Sequence, residues 1–80
     1  MRLFVRDMDD DEYSVINVAE ARIVRGKFGR SGVNLMVIGV SDNMYFVNSA
    51  TPPMDILEAL YNDGKCTVVG NLKHAEDVLR

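Results

Sequence analysis

The sequence has few of the residues from which covalent and metal sites are built. It contains one cysteine, Cys66, and one histidine, His74. A single cysteine excludes an internal disulfide and a cysteine-based zinc site, and a single histidine excludes a site that needs two imidazoles from one chain. We therefore expect no metal and no cofactor. A lone thiol also indicates a reducing, cytoplasmic setting.

Long apolar runs are missing as well. No stretch approaches the roughly 20 apolar residues of a membrane-spanning helix, and the apolar run near the N-terminus is too short for a signal-peptide core. Hydrophobic residues nevertheless make up 48% of the chain and charged residues 26%, which is a globular composition. The 80 residues predict a single domain, residues 1–80, with no contact to a membrane.

Catalytic patterns are also absent. No serine lies in a Gly-x-Ser-x-Gly motif, and the spacing of Cys66 and His74 across a predicted glycine turn gives no support to a nucleophile pair. No two carboxylates are placed by sequence on a common buried face. The sequence therefore predicts a protein that is not an enzyme.

What is present is the alternation of apolar and polar residues that is typical of short strands. In the first segment Leu3 and Val5 share one face, and Phe4 lies on the other face with two arginines. Residues 35–40 are apolar on both faces, which indicates a central strand. The expected strands cover residues 2–7, 13–25 with a break near 19–21, 35–40, 44–48 and 65–69.

Two helices are predicted from their end signals. Thr51 followed by Pro52 has the chemistry of an N-cap with proline at the first helical position, and Gly64 supplies a C-terminal stop. Asn71 is expected to cap a short C-terminal helix. The fold class predicted is α+β, an antiparallel β-meander of four to five strands with one covering helix at about residues 52–63 and a short C-terminal helix. The strand order stays open.

The first candidate site is an acidic turn at residues 7–12. A calcium loop is disfavoured because Glu12 occupies the position that needs glycine, and Val18 the position of the bidentate glutamate. The remaining interpretations are a solvated hairpin turn and an acidic docking edge for a basic partner. The candidate contact residues are Asp9, Asp10 and Asp11.

The second candidate site is a basic, glycine-rich segment at residues 22–32. Its candidate contact residues are Arg22, Arg25, Lys27, Phe28 and Arg30. Cations around an aromatic ring suit phosphate attraction and base stacking, but a solvated loop with the ring packed on the sheet is favoured over this, and a protein-binding loop is a further interpretation. The segment lacks the ending of a P-loop. A net charge of −3 argues against coating nucleic acid by bulk electrostatics.

The order of these elements resembles the FlbD-type flagellar proteins and similar small bacterial or phage proteins. The resemblance implies strands and a hairpin that lead to a proline-started helix, and a regulatory character without catalysis. It departs at residues 26–32 and after Gly64. The stretches that carry it are Leu3-Phe4-Val5-Arg6-Asp7 with the acidic turn, Ile16-Asn17-Val18, Leu35-Met36-Val37-Ile38, Ser41-Asp42-Asn43, Tyr45-Phe46-Val47 and Pro53-Met54-Asp55-Ile56-Leu57.

The leading hypothesis is a small cytoplasmic interaction protein of bacterial or phage origin. It would bind another protein through the two charged segments and modulate it, for example as an inhibitor. The alternative is nucleic-acid or nucleotide binding through residues 22–32. A domain of this size also suits a homodimer, in which an uncovered sheet face or a sheet edge takes a second copy.

Overall fold

The α+β class and the meander order are confirmed. A computed structural model describes residues 1–25 and 33–78 of the chain. The described part contains five strands and two helices. In chain order these are β1 (Arg2–Arg6), β2 (Tyr13–Arg25), β3 (Val33–Gly39), β4 (Met44–Ser49), α1 (Pro53–Asp63), β5 (Lys65–His74) and α2 (Ala75–Val78).

The five strands close into a barrel in their sequence order. Consecutive strands are antiparallel, but β5 pairs with β1 in parallel, with Lys65 opposite Arg2 and Val69 opposite Arg6. With an odd number of strands the alternation of direction must fail once, and it fails at this pair. Each described strand thus has two neighbours, but the two longest strands meet them over different halves: residues 13–17 and 65–69 pair only with β1, residues 20–25 only with β3 and residues 70–74 only with β4.

The two long strands, β2 and β5, each pair with different neighbours along their length. Residues 13–17 of β2 pair with β1, and residues 18–25 pair with β3 after a bulge between Val18 and Glu20. The predicted break near residues 19–21 is therefore confirmed. Because one residue is inserted there, the inward positions change from Val18 before the bulge to Ala21 after it.

Helix α1 contributes two fully buried side chains to the barrel core, Ile56 and Leu60, and packs against β2, β3 and β5. The Tyr61 hydroxyl donates to the Ala21 carbonyl oxygen at 3.3 Å and accepts from the Ala21 N–H at 3.4 Å. It thereby supplies hydrogen-bond partners to the β2 backbone just beyond residues 13–17, which pair with β1. The remaining core members are Leu3, Val5, Val18, Ala21, Leu35, Val37, Val47 and Val68.

The sequence predicts the C-terminal end of α1 correctly but misplaces its N-terminal end by one residue. Gly64 stops the helix with φ of 76° and donates its N–H to the Leu60 carbonyl oxygen at 3.0 Å, as predicted. The N-cap prediction is wrong by one residue: the helix begins at Pro53, and Pro52 occupies the cap position without a side-chain hydrogen bond. Thr51 instead donates its N–H to the Ser49 hydroxyl at 3.2 Å.

The C-terminal helix is shorter than the sequence predicts. Residues 71–74 continue β5, with Asn71 opposite Asn48 and Leu72 opposite Val47, and α2 has only four residues. The prediction from Asn71 was wrong because β4 pairs with β3 on one side only through half of its backbone N–H and C=O groups. Residues 70–74 of β5 supply the hydrogen-bond partners on its other side. Leu72 packs against the core from the strand. None of the helices in the described part is long and apolar enough to cross a membrane.

Candidate functional site

The outward surface of β1 and its two neighbours forms a three-stranded face. Leu3 and Val5 are buried, so Arg2, Phe4 and Arg6 point outward. The antiparallel register to β2 and the parallel register to β5 align the outward residues in three rows. We call this surface the β1 face. Its rows are Tyr13, Arg6 and Val69; Val15, Phe4 and Thr67; and Asn17, Arg2 and Lys65.

The centre of the β1 face is apolar and open. Tyr13 is 62% exposed, Val15 55% and Val69 39%, and Phe4 between them is half-buried. Tyr13 and Val15 are two residues apart on one strand, and Val15 lies directly opposite Phe4. Scattered exposed hydrophobic residues are ordinary, but here Val15 lies directly opposite Phe4, and Tyr13 and Val69 lie diagonal to Phe4 on either side of Arg6, so the apolar side chains group around Phe4.

The two ends of the β1 face carry opposite charge. At one end Arg2 and Lys65 lie in the same row, and both are exposed. Asp63, which ends α1 two residues before Lys65, is also exposed. The other end continues into residues 7–12, which contain five acidic residues. The β1 face is thus positive at one end and negative at the other.

The acidic end is held by its own hydrogen bonds. Asp7 donates its N–H to the Glu12 carbonyl oxygen at 2.8 Å, and its carboxylate accepts from the Asp9 N–H at 2.8 Å. Arg6 Nε lies 2.6 Å from Asp11 Oδ1, and this hydrogen bond and charge raise the pKa of Arg6 above its ordinary value. The predicted exposed turn is confirmed, and Asp9, Asp10 and Asp11 are all exposed.

The basic segment is only partly within the described residues. Arg22 and Arg25 are exposed on β2. The Arg22 guanidinium pairs with the Glu20 carboxylate, which raises the pKa of Arg22. Lys27, Phe28 and Arg30 lie outside the described residues. Since Tyr13 begins β2 and Arg25 ends it, the acidic turn and the two described arginines of the basic segment lie towards opposite ends of a 13-residue strand.

Most of the β1 face was missed by sequence reasoning. The alternation in β1 correctly placed Phe4 with two arginines on the outer side, and that was the available signal. The hairpin turn expected at residues 7–12 is compatible with Tyr13 and Val15 beside β1, but nothing local indicated that Val69 would lie on its other side. That arrangement depends on the parallel pairing of β1 with β5, which joins residues more than sixty positions apart.

Apart from the β1 face, a concavity of about 320 Å³ lies beside the β3–β4 hairpin and the start of α2. Its lining residues are Asp42, Asn43, Met44, His74, Ala75 and Glu76. The His74 ring lies 4.8 Å from the Tyr45 ring.

Cys66 pairs with Leu3 near the other end of β5, so the two residues weighed as a nucleophile pair, Cys66 and His74, are far apart in the ladder. Within residues 1–25 and 33–78, no cluster of three or more His, Cys, Asp or Glu side chains is arranged to hold a metal.

Partial burial raises the pKa of the Cys66 thiol above its ordinary value of 9.0, and the negative charge of Asp63 raises it further to a smaller extent. Because the folded state holds this proton more tightly, its contribution to stability is complete below the unfolded pKa and is lost as pH rises through the folded pKa. We expect chemical-denaturation stability to fall above about pH 9 and to fall less in Cys66→Ser. Equal alkaline slopes for the two proteins would contradict this.

Comparisons of this chain with protein-family models, with curated proteins and with solved structures find no match. The resemblance to FlbD-type proteins therefore stays a prediction. The functional argument rests on the geometry of the β1 face.

Proposed function

We propose that this protein binds another protein through the β1 face and thereby modulates it. The observation that supports the proposal is the group of exposed side chains Tyr13, Val15 and Val69 around Phe4, on the surface of a barrel with a separate buried core. Exposed apolar patches with a polar rim mark protein interfaces, and aromatic side chains carry much of the binding energy there. The cytoplasmic setting, the bacterial or phage origin and the inhibitory role expected from the sequence belong to the same proposal.

The charges around the patch favour a protein over a nucleic acid as its ligand. Tyr13 adjoins the acidic turn, and a phosphate backbone that crossed the patch would approach the five carboxylates of residues 7–12. A protein partner can instead match both ends, with acidic groups near Arg2 and Lys65 and basic groups near the turn. The acidic docking edge inferred from the sequence thus becomes one end of a larger surface.

Val15→Lys tests the patch directly, because it places a charge in the middle row of the face. The matched control is Val40→Lys, since Val40 is 66% exposed in the β3–β4 turn; its N–H bonds to the Asn17 carbonyl oxygen at 2.9 Å, but its side chain belongs to none of the three rows of the β1 face. Immobilised wild-type protein and Val40→Lys are expected to capture the same proteins from a bacterial lysate. Val15→Lys is expected to lose them.

A captured protein would then be purified and titrated by calorimetry. Its Kd for Val15→Lys should exceed that for wild type by about tenfold or more, because the substitution removes the binding free energy of one central contact. Circular dichroism of the variants should match wild type, since the substituted positions are exposed. If Val15→Lys and Val40→Lys capture the same proteins with the same Kd, the β1 face is not the binding surface.

The second candidate function is nucleic-acid or nucleotide binding through residues 22–32. It is favoured by a cross-strand row in which Arg22, Met36, Phe46 and Lys73 follow one another over β2 to β5 and bring two cations to one surface. Phe46 is only 6% exposed and is not open for stacking, so Phe28 would have to supply the aromatic ring. Fluorescence anisotropy with labelled single strands at low salt should show binding that Phe28→Ala weakens, and absence of binding would remove this candidate.

A further inference from the structure

We infer that the partner binds by adding an extended, basic strand to the open edge of β2 at residues 13–15, which we call the β2 edge. The inference rests on the proposed function, since it names the class of partner and the way in which it is held. An added strand would lie beside Tyr13 and Val15 and would continue the β1 face by one strand.

The hydrogen bonds of the β1–β2 hairpin fix the direction of the backbone groups at this edge. Val18 donates its N–H to the Met1 carbonyl oxygen at 2.7 Å, and the Met1 amino group lies 3.4 Å from the Val18 carbonyl oxygen. In an antiparallel ladder such pairs alternate with pairs that exchange no hydrogen bond. Tyr13 and Val15 lie an odd number of positions from Val18, so their N–H and C=O groups point away from β1.

The β2 edge is open in both its backbone and its side chains. Strand β3 pairs with β2 only beyond this segment, and the Val40 N–H bonds to the Asn17 carbonyl oxygen at 2.9 Å, which closes the edge at that end. In the described part of the chain, no hydrogen bond reaches the outer backbone groups of Tyr13 and Val15. All three side chains of the edge are exposed. A new strand can therefore pair here.

Charge identifies the added strand as basic. The turn at residues 7–12 runs directly into the β2 edge and contains five acidic residues. No lysine or arginine occurs in residues 7–21, and the two arginines of β1 lie on the far side of β2 from the edge. A strand that places lysine or arginine beside the turn is therefore attracted, and an acidic strand is repelled.

The same charges argue against a second copy of this chain as the occupant. In an antiparallel pair of β2 strands, the acidic turn of each copy would lie towards the Asn17 end of the other. The β3–β4 turn, which contains the exposed Asp42, is bonded to that end through Val40. Two turns of like charge would compete for one place, and a parallel pair would set two acidic turns side by side. Charged flanks of this kind protect an edge from self-association.

The test uses three synthetic peptides and fluorescence anisotropy. The first alternates valine with threonine and has two lysines at each end. The second has glutamate in place of every lysine. The third keeps the lysines but is N-methylated at its two central residues, which removes a backbone donor from each of its edges. We expect the lysine peptide to bind and the other two to bind about tenfold more weakly or less, so that strand pairing is separated from charge attraction.

Amide hydrogen exchange measured by NMR reports on the edge directly. Saturating lysine peptide is expected to slow the exchange of the Tyr13 and Val15 amides about tenfold or more, because these amides gain a partner. The Ile16 amide is directed towards β1 and serves as the internal reference.

Val15→Pro tests the backbone of the β2 edge. It removes a donor that β1 does not use and leaves an apolar side chain on the β1 face, so its circular dichroism should match wild type. Its affinity for the lysine peptide should fall about tenfold or more, because one of the backbone hydrogen bonds is lost and the ring obstructs the edge.

Asp9→Lys with Asp10→Lys tests the charge of the turn and leaves Asp11 and its ion pair in place. It should also bind the lysine peptide about tenfold more weakly. The matched control is Asp55→Lys with Glu58→Lys on exposed positions of α1, which has the same charge change and should bind about as tightly as wild type.

The inference is overturned if the lysine peptide does not bind, if N-methylation leaves its affinity unchanged, or if the two amides gain no protection. A wild-type dimer in sedimentation velocity that Val15→Pro abolishes would also overturn it, in favour of a second copy. Lysate proteins that Val15→Lys loses but Val15→Pro keeps would overturn the added strand and preserve the proposed function. Captured proteins that neither substitution affects would overturn both.

Discussion

Replacing Gly70 with alanine is expected to lower the free energy of unfolding by about 3 kcal/mol, the upper part of the range for side chains forced into a packed site. Gly70 lies where β5 changes its partner from β1 to β4. A Cβ atom there would overlap the Asn48 carbonyl oxygen and lie 3.0 Å from Ser49 Cα. These are backbone atoms of a paired strand, so they cannot move aside without opening the ladder.

The matched control is Gly39→Ala. A Cβ at Gly39 meets its nearest neighbours at 3.6 Å, which is ordinary contact, and we expect little change in stability. Urea unfolding followed by circular dichroism measures both variants. A Gly70→Ala protein as stable as Gly39→Ala would show that β5 does not turn between the two halves of the barrel as described. Because β5 forms one side of the β1 face, the same variant should also weaken binding.

Replacing Leu60 with alanine is expected to lower the free energy of unfolding by about 2 to 5 kcal/mol, the range for a fully buried leucine whose cavity collapses only in part. Leu60 is completely buried and belongs to the same core cluster as Leu3 and Val5, the inward residues of β1. A small domain has about 5 kcal/mol or little more in total, so this variant should be largely unfolded near its ordinary working temperature.

Leu57→Ala on the same helix is the control, because it makes the same change in helix propensity at a half-buried position. Its cost should be clearly smaller than that of Leu60→Ala in the same urea titration. Equal costs would mean that α1 does not present its Ile56 and Leu60 side to the barrel interior. The comparison thus tests whether the helix completes the core that supports the β1 face.

The local features of the fold were predictable because each depends on neighbouring residues. The two-residue alternation in β1, the bulge near residues 19–21, the acidic turn and the glycine stop of α1 are all set within a few positions of the chain. The connection between the strands expected at residues 35–40 and 44–48 was also predictable. There Asp42 takes the left-handed conformation at φ of 68°, and its N–H bonds to the Gly39 carbonyl oxygen at 3.0 Å.

Errors arose where a distant partner outweighed a local signal. Asn71 has the side chain of a helix cap, but its backbone pairs with Asn48 and extends β5. There a local preference worth about 1 kcal/mol gave way to hydrogen bonds of the barrel. At Thr51 the competing contact is itself local, because its N–H donates to the Ser49 hydroxyl and Pro52 takes the cap position.

The sequence by itself determined the class of the fold, the placement of the strands and α1, and the exposure of the acidic turn, since periodicity and turn chemistry act over short distances. Only the tertiary structure decided that the strands close into a barrel and that β5 brings Val69 to the open surface of Phe4, Tyr13 and Val15. That surface depends on the β1–β5 ladder. Its parallel direction follows from closing an odd number of strands, a property of the whole chain and of no segment within it.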